Sequence, residues 1–292
     1  MKDLLGKLNS QKLVALHSLT PLGIYTERMP LEVEPDLDIH DYGGTSEKEY
    51  FFRSTLSFAK KYKFILSADL EDYGYVDGEN LSQAMNREGT GRLNLRLDSA
   101  GLHGLSVTLE GTVNASSSEF GNDDIERVAD IKLVAVKKTS SLDIFQELLL
   151  EAYSLELERK YRVSFFSYFA ALEAFVTSEL LIVKADIFKE LHNALEHLAL
   201  DEKLSVLAKN AHSLPELKNM KLWGDFCGLF RKLKDKRNDI AHGKGVVDIK
   251  HADVQDIFLV IFVLNSIVNQ KHTEFSQIQN FYFPKPAKKK RA

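Results

Sequence analysis

Arg237-Asn238-Asp239-Ile240-Ala241-His242-Gly243 closes a charged, helix-favouring stretch and is followed by Lys244 and Gly245. Glycines just beyond such a run are stop signals, so the segment predicts a helix over Leu222 to Ala241 with His242 at its fraying end. Arginine is a permanent cation that grips phosphate through two parallel hydrogen bonds, whereas histidine exchanges a proton near neutral pH. An arginine and a histidine separated by four residues therefore suggest phosphodiester chemistry that needs no metal. Five helical residues turn the chain by about 500° and raise it by ~7.5 Å, so the two side chains do not stack as an i,i+4 pair. They share a pocket only if the imidazole stands at the helix end while the long arginine reaches along the surface.

Outward from this motif, helical spacing dominates the second half of the chain. Ser141 is the expected cap of a helix beginning at Leu142 and Asp143. Phe165, Phe169, Leu172, Val176 and Leu180 lie along one side of a long helix. Ala185 to Leu198 and Glu202 to Ala211 read as shorter helices, interrupted by Ser213-Leu214-Pro215. Ala252 to Gln270 closes the set. Its octet Ile257 to Leu264 is apolar around almost the whole circumference, which predicts a central position. A buried strand is the competing reading of that octet alone, but Val254 and Ile267-Val268 extend the pattern beyond strand length.

Three segments carry a family resemblance: Ser164-Phe165-Phe166-Ser167-Tyr168-Phe169-Ala170-Ala171-Leu172-Glu173-Ala174-Phe175, the motif Arg237 to Gly243, and the apolar run Asp253 to Asn269. Together they resemble the HEPN superfamily, small helical bundles with an Arg-(four to six residues)-His motif near the end of an inner helix. The resemblance covers roughly the second half of the chain. It implies a metal-independent endoribonuclease without cofactor, acting as a toxin or antiphage defence effector. It also implies 2′,3′-cyclic phosphate and 5′-hydroxyl products, and a homodimer whose motif helices meet across a twofold axis to form an RNA cleft. An antitoxin or regulatory protein is the further partner expected. In this reading Asn238 orients the phosphate or the histidine, although a local helix hydrogen bond explains it equally. The sequence departs from the toxin subtype in which a modifiable tyrosine follows two residues after the histidine, because Lys244 stands there. A noncatalytic module of the same family, binding RNA or a protein partner, is the alternative function.

The residue types permit a definite mechanism. An RNA 2′-hydroxyl attacks the adjacent phosphorus, Arg237 stabilises the charge that develops, and His242 exchanges the proton. The negative end of the helix dipole favours the imidazolium form of His242 by roughly 0.3 to 1 kcal/mol. Glu173, a carboxylate set among aromatic residues, either orients Arg237 across the bundle or occupies an exposed position. Arg231, Lys234, Lys236 and Lys244 form a candidate RNA-binding path, with Lys232 beside them. Because Asp235 and Asp239 interleave, a solvated helix face is the competing reading.

The first half has a different grammar. Leu93, Leu95 and Leu97 alternate with polar residues, as do Val107, Leu109 and Val113, and both runs predict strands. Ser99 to Gly104 is a plausible hairpin connection, Phe64 to Leu70 and Ile131 to Lys137 are further strands, and Asn114 to Asp124 reads as a loop. The expected organisation is α+β: a β-rich domain of undetermined role over 1–140, a HEPN-like helical bundle over 141–284, and a basic tail over 285–292.

Composition narrows the alternatives. A hydrophobic share of 44% in 292 residues is sufficient for real cores, and a net charge of -4 argues against coating nucleic acid by bulk electrostatics. Cys227 is the single cysteine, which excludes an intramolecular disulfide and a cysteine-rich zinc site. Met1 to Ser18 lacks an uninterrupted apolar signal core, and the eight-residue octet is too short to cross a bilayer, so a cytoplasmic, membrane-free protein is expected. His192 and His197 with Glu190 and Glu196 do not form a zinc-protease motif. Gly89-x-Gly91 precedes a strand rather than a helix, and Asp130-x-Lys132 has no partner carboxylate fixed by spacing.

Overall fold

The computed structural model describes residues 2–30, 47–76, 90–97, 105–116, 126–243 and 248–284. The protein is mixed α/β, with small sheets and a helical C-terminal region, and it divides into two compact units. Pro21–Ser141 forms one; the residues up to Thr20 join those from Leu142 onward in the other.

This division differs from the expected β-rich domain over 1–140. The first twenty residues fold as α1 (Lys2–Ser10) and α2 (Lys12–Leu19). Their buried residues Leu4 and Leu8, then Lys12, Ala15, Leu16 and Leu19, recur at helical rather than strand spacing. The segment therefore has an apolar face suited to a helical neighbour.

The β unit contains β1 (Gly23–Pro30), β2 (Glu47–Ser57), β3 (Tyr62–Val76), β4 (Thr90–Leu97), β5 (Ser106–Ser116) and β6 (Glu126–Lys137). They pair antiparallel in two three-stranded sheets, ordered β1-β6-β3 and β2-β5-β4. Ala129, Ile131, Leu133 and Ala135 alternate along β6 into a core shared with Val107 and Leu109 of β5, Met29, Phe58, Tyr62 and Ile65. β5 continues to Ser116, so three residues of the stretch expected to loop, Asn114 to Ser116, belong to the strand. The strands β1 and β2 were not anticipated. The connection Ser99 to Gly104, residues 117–124 and the tail 285–292 lie outside the described residues.

The helical unit continues with α3 (Ile144–Leu157), α4 (Tyr161–Ala185), a 3-10 turn (Lys189–Leu191), α5 (His192–His197), α6 (Leu200–His212), α7 (Lys221–Ala241), α8 (His251–Val268) and α9 (Phe275–Tyr282). Asp143, not Ser141, caps α3. Its carboxylate accepts from the Gln146 amide at 2.7 Å while the Gln146 side chain accepts from the Asp143 amide at 3.3 Å, a reciprocal capping box. No single helix spans Ala185 to Leu198. α4 ends at Ala185, and the extended backbone of Phe188 (ψ 140°) separates it from the 3-10 turn.

The competing strand for Ile257 to Leu264 is excluded by α8, whose residues from Ile257 through Ile267 are all buried. α4 and α8 are both long and apolar enough to cross a membrane by length and composition alone. For α8, 72% of that stretch is buried inside the helical unit, as in the core helix of a globular protein.

Candidate active site

The position of Arg237 follows from the apolar stripe of α7. Leu222, Phe226, Phe230 and Leu233 are its buried residues, spaced four, four and three apart. Arg237 is four beyond Leu233, so it continues the stripe at the point where the core ends. The guanidinium is consequently half-buried and faces α4. Its Nη2 lies 3.6 Å from Oε1 of Glu173, with side-chain exposures of 38% and 48%. Nη1 donates to Asn238 Oδ1 at 3.3 Å, so the neighbouring residue also restrains the guanidinium.

His242 caps α7. Its backbone N–H donates to the carbonyl of Asn238 at 2.9 Å, and the Gly243 N–H donates to Ile240 at 3.2 Å. Gly243 then adopts φ +67°, a left-handed conformation that glycine enters without the Cβ clash of other residues. The imidazole is left exposed at the carboxyl end of the helix. Arg237, Asn238, Glu173 and His242 thus occupy the last turn of α7 and the face of α4 beside it.

The candidate phosphate path is less open. Lys234 Nζ lies 2.9 Å from Asp201 Oδ1, and its hydrogen bond holds the Asp201 carboxyl below the usual range. Lys236 Nζ lies 2.6 Å from Asp253 Oδ2 in the first turn of α8. Two of the expected RNA contacts are therefore engaged by carboxylates from other helices. Arg231 is exposed, whereas Lys244 lies outside the described residues.

A second charged cluster was not recognised in the sequence. Glu156, only 7% exposed, accepts from Lys12 Nζ at 2.5 Å and from the Tyr168 hydroxyl at 2.9 Å on Oε2. Its Oε1 lies 3.0 Å from Nε2 of His251, whose ring stacks on Tyr161 at 5.1 Å. Lys12 Nζ also sits 4.3 Å from the centre of the Phe258 ring. Burial lowers the Lys12 pKa even though Glu156 opposes the shift, and burial followed by Glu156 raises that of Tyr168 well above the usual phenol range. The signal was present: Lys12 lies four residues from both Leu8 and Leu16, and Glu156 lies three from Tyr153 and seven from Leu149. Both are charges on otherwise apolar stripes.

A cavity of about 760 Å³ opens elsewhere, between the end of α4, α5 and α6; it is lined by Val183, Ile187, Leu195 and Val206 among others and contains no motif residue. Among the described residues, no group of three or more His, Cys, Asp or Glu side chains is placed to hold a metal ion. No protein-family model, curated protein or solved structure matches the chain.

Proposed function

We propose that the helical unit is a metal-independent endoribonuclease of the HEPN type, working in the cytoplasm as a homodimeric toxin or antiphage effector. The observation that carries this reading is the meeting of Arg237 and Glu173 at 3.6 Å near the end of α7, the helix that exposed His242 caps. Glu173 restrains the guanidinium at contact distance, yet both side chains keep over a third of their surface in solvent, so phosphate oxygens have access. Arg237 stabilises the charge on the pentacoordinate phosphorus, and His242 exchanges the proton. The products are a 2′,3′-cyclic phosphate and a 5′-hydroxyl. An antitoxin or another regulatory protein restrains the activity, and a second copy supplies the opposite wall of the cleft.

The test is cleavage of RNA in the presence of a chelator, alongside an oligonucleotide that is 2′-deoxy at the scissile position. Cleavage of RNA alone is expected; cutting of the deoxy substrate, or loss of RNA cleavage in chelator, contradicts the mechanism. A noncatalytic module binding RNA or a protein is the second reading, favoured by the engagement of Lys234 and Lys236 with Asp201 and Asp253. His242→Ala separates the two, since a nuclease loses cleavage while keeping its fold and a binding module has none to lose.

A further inference from the structure

The cavity of about 760 Å³ at the end of α4 has no part in the chemistry proposed above, and local structure explains why it stays open. Between α4 and α6 the chain supplies only a three-residue 3-10 turn and the six residues of α5, which make fewer than two helical turns. So short a piece carries too few apolar side chains to fill the space beside Val183 and Val206. Ile187, Leu195 and Val206 are accordingly only half-buried, and Leu191 at the cavity wall is 51% exposed. Phe188, next to Ile187, is 81% exposed. Apolar side chains left in water around a concavity mark a ligand or partner site.

The distribution of polar groups selects the occupant. A protein interface has an apolar centre ringed by polar residues, whereas here the polar lining side chains Lys209, Asn210 and Ser213 all come from the last turn of α6 and its cap. One end of the cavity is polar and the rest is apolar. Among the described residues no aspartate or glutamate lines it. Lys184, Lys234 and Lys236 are each held by a carboxylate, but Lys209 makes no ion pair with a described residue.

The backbone at this end supports the same assignment. Ser213 adopts φ 51°, and through that left-handed turn the Ser213 and Leu214 N–H groups donate to the carbonyls of Asn210 and Lys209 at 3.2 and 3.0 Å. Two carbonyls that would repel an anion are thereby satisfied, while the ammonium, amide and hydroxyl beside them can all donate. The volume falls within the roughly 300 to 1,000 Å³ of small-molecule sites. We infer that this cavity binds a single-chain fatty carboxylate, with the alkyl chain against Ile187, Leu195 and Val206 and the head group on Lys209, Asn210 and Ser213. No motif residue takes part, so the inference stands apart from the ribonuclease reading.

Isothermal titration calorimetry of the full chain with sodium dodecanoate, kept below its micelle concentration, tests the inference. One site per chain is expected, with affinity falling about 10-fold or more for every two methylenes removed from the chain. Dodecyltrimethylammonium, the same chain with a cationic head, should bind at least about 10-fold more weakly, and Lys209→Met should cost dodecanoate a similar factor. Val206→Trp, which fills the cavity, should abolish binding; because Lys209 is exposed, its variant keeps the test decisive even if the tryptophan destabilises the fold. Nitroxide-labelled stearate should broaden the methyl resonances of Ile187, Leu195 and Val206. Equal affinity for the two head groups, or broadening confined to other methyl groups, overturns the assignment. So does the absence of dodecanoate binding, and loss of self-association in Leu191→Glu would then identify this face as a contact between copies of the chain.

Discussion

Glu156 and Glu173 are two carboxylates of one helical unit, each set against a cation, and they are held in opposite ways. Glu156 is enclosed by lysine, tyrosine and histidine from three other helices, whereas Glu173 meets Arg237 at 3.6 Å with about half its side chain in water. Solvent screens the second pair, so its worth to stability is about 1 kcal/mol or less, and its consequence is where the guanidinium points. The buried group has no such freedom. Once Lys12 and Glu156 are out of water each must keep its partner, and the N-terminal helices are thereby committed to the bundle.

The widest separation between the two is expected on truncation. Lys12→Ala leaves Glu156 buried without its cation and should lower unfolding stability by about 3 to 5 kcal/mol in a urea titration. Lys12→Met combined with Glu156→Gln should recover more than half of that loss. An equal loss in the double variant would mean that the cluster stabilises by more than mutual neutralisation. Arg237→Ala should reverse the pattern, reducing RNA cleavage by about 10² to 10³ while changing stability by about 1 kcal/mol or less. A large fall in melting temperature would make that arginine a structural residue.

The pH dependence sharpens the same contrast. Burial, then Glu156, pushes the Tyr153 phenol up to about 12, and Tyr168 is raised for the same reasons in the same order. A raised folded pKa contributes stability that is fully present below the unfolded value near 10 and is lost as pH rises through the folded value. Tyr153 alone should remove about 3 kcal/mol across that window. Lys12, lowered by burial, acts with the opposite sign, since it sheds its proton in the fold before it does so in the unfolded chain. Urea midpoints should fall as pH is raised from about 9 to about 11.5, and more steeply in Lys12→Met. The smallest effect belongs to Glu173→Gln, which should leave stability unchanged within about 1 kcal/mol and slow cleavage only several-fold.

The sequence carried these two regions unequally. The motif turn was legible because its signals are local: the glycine stop after His242 and the charge of the run before it. The core octet in α8 was legible because its apolar pattern outlasts a strand. By contrast, the Lys12–Glu156 pair joins residues 144 positions apart, and neither side chain announces its partner. A lysine or glutamate on an apolar stripe signals only that a partner is required. The assignment of the first twenty residues to the β-rich domain differs from the observed division for a related reason, whereas the division after Ser141 lies beside the expected boundary. The short helices α1 and α2 precede the strands in sequence but bury their apolar faces in the other unit. The cap of α3 moved from Ser141 to Asp143 because Gln146, three residues further on, completes a reciprocal pair that Ser141 cannot make. On α7 the cations Lys234 and Lys236 looked free in sequence, and only the tertiary fold supplies Asp201 and Asp253.

The most direct measurement is the chemistry of the RNA 3′ ends left by the purified protein in chelator, read by mass spectrometry for wild type and His242→Ala. The account predicts 2′,3′-cyclic phosphate termini from the wild type and about 10² to 10⁴ fewer of them from the variant. Termini bearing a 3′-hydroxyl, or equal yields from the two proteins, would contradict it.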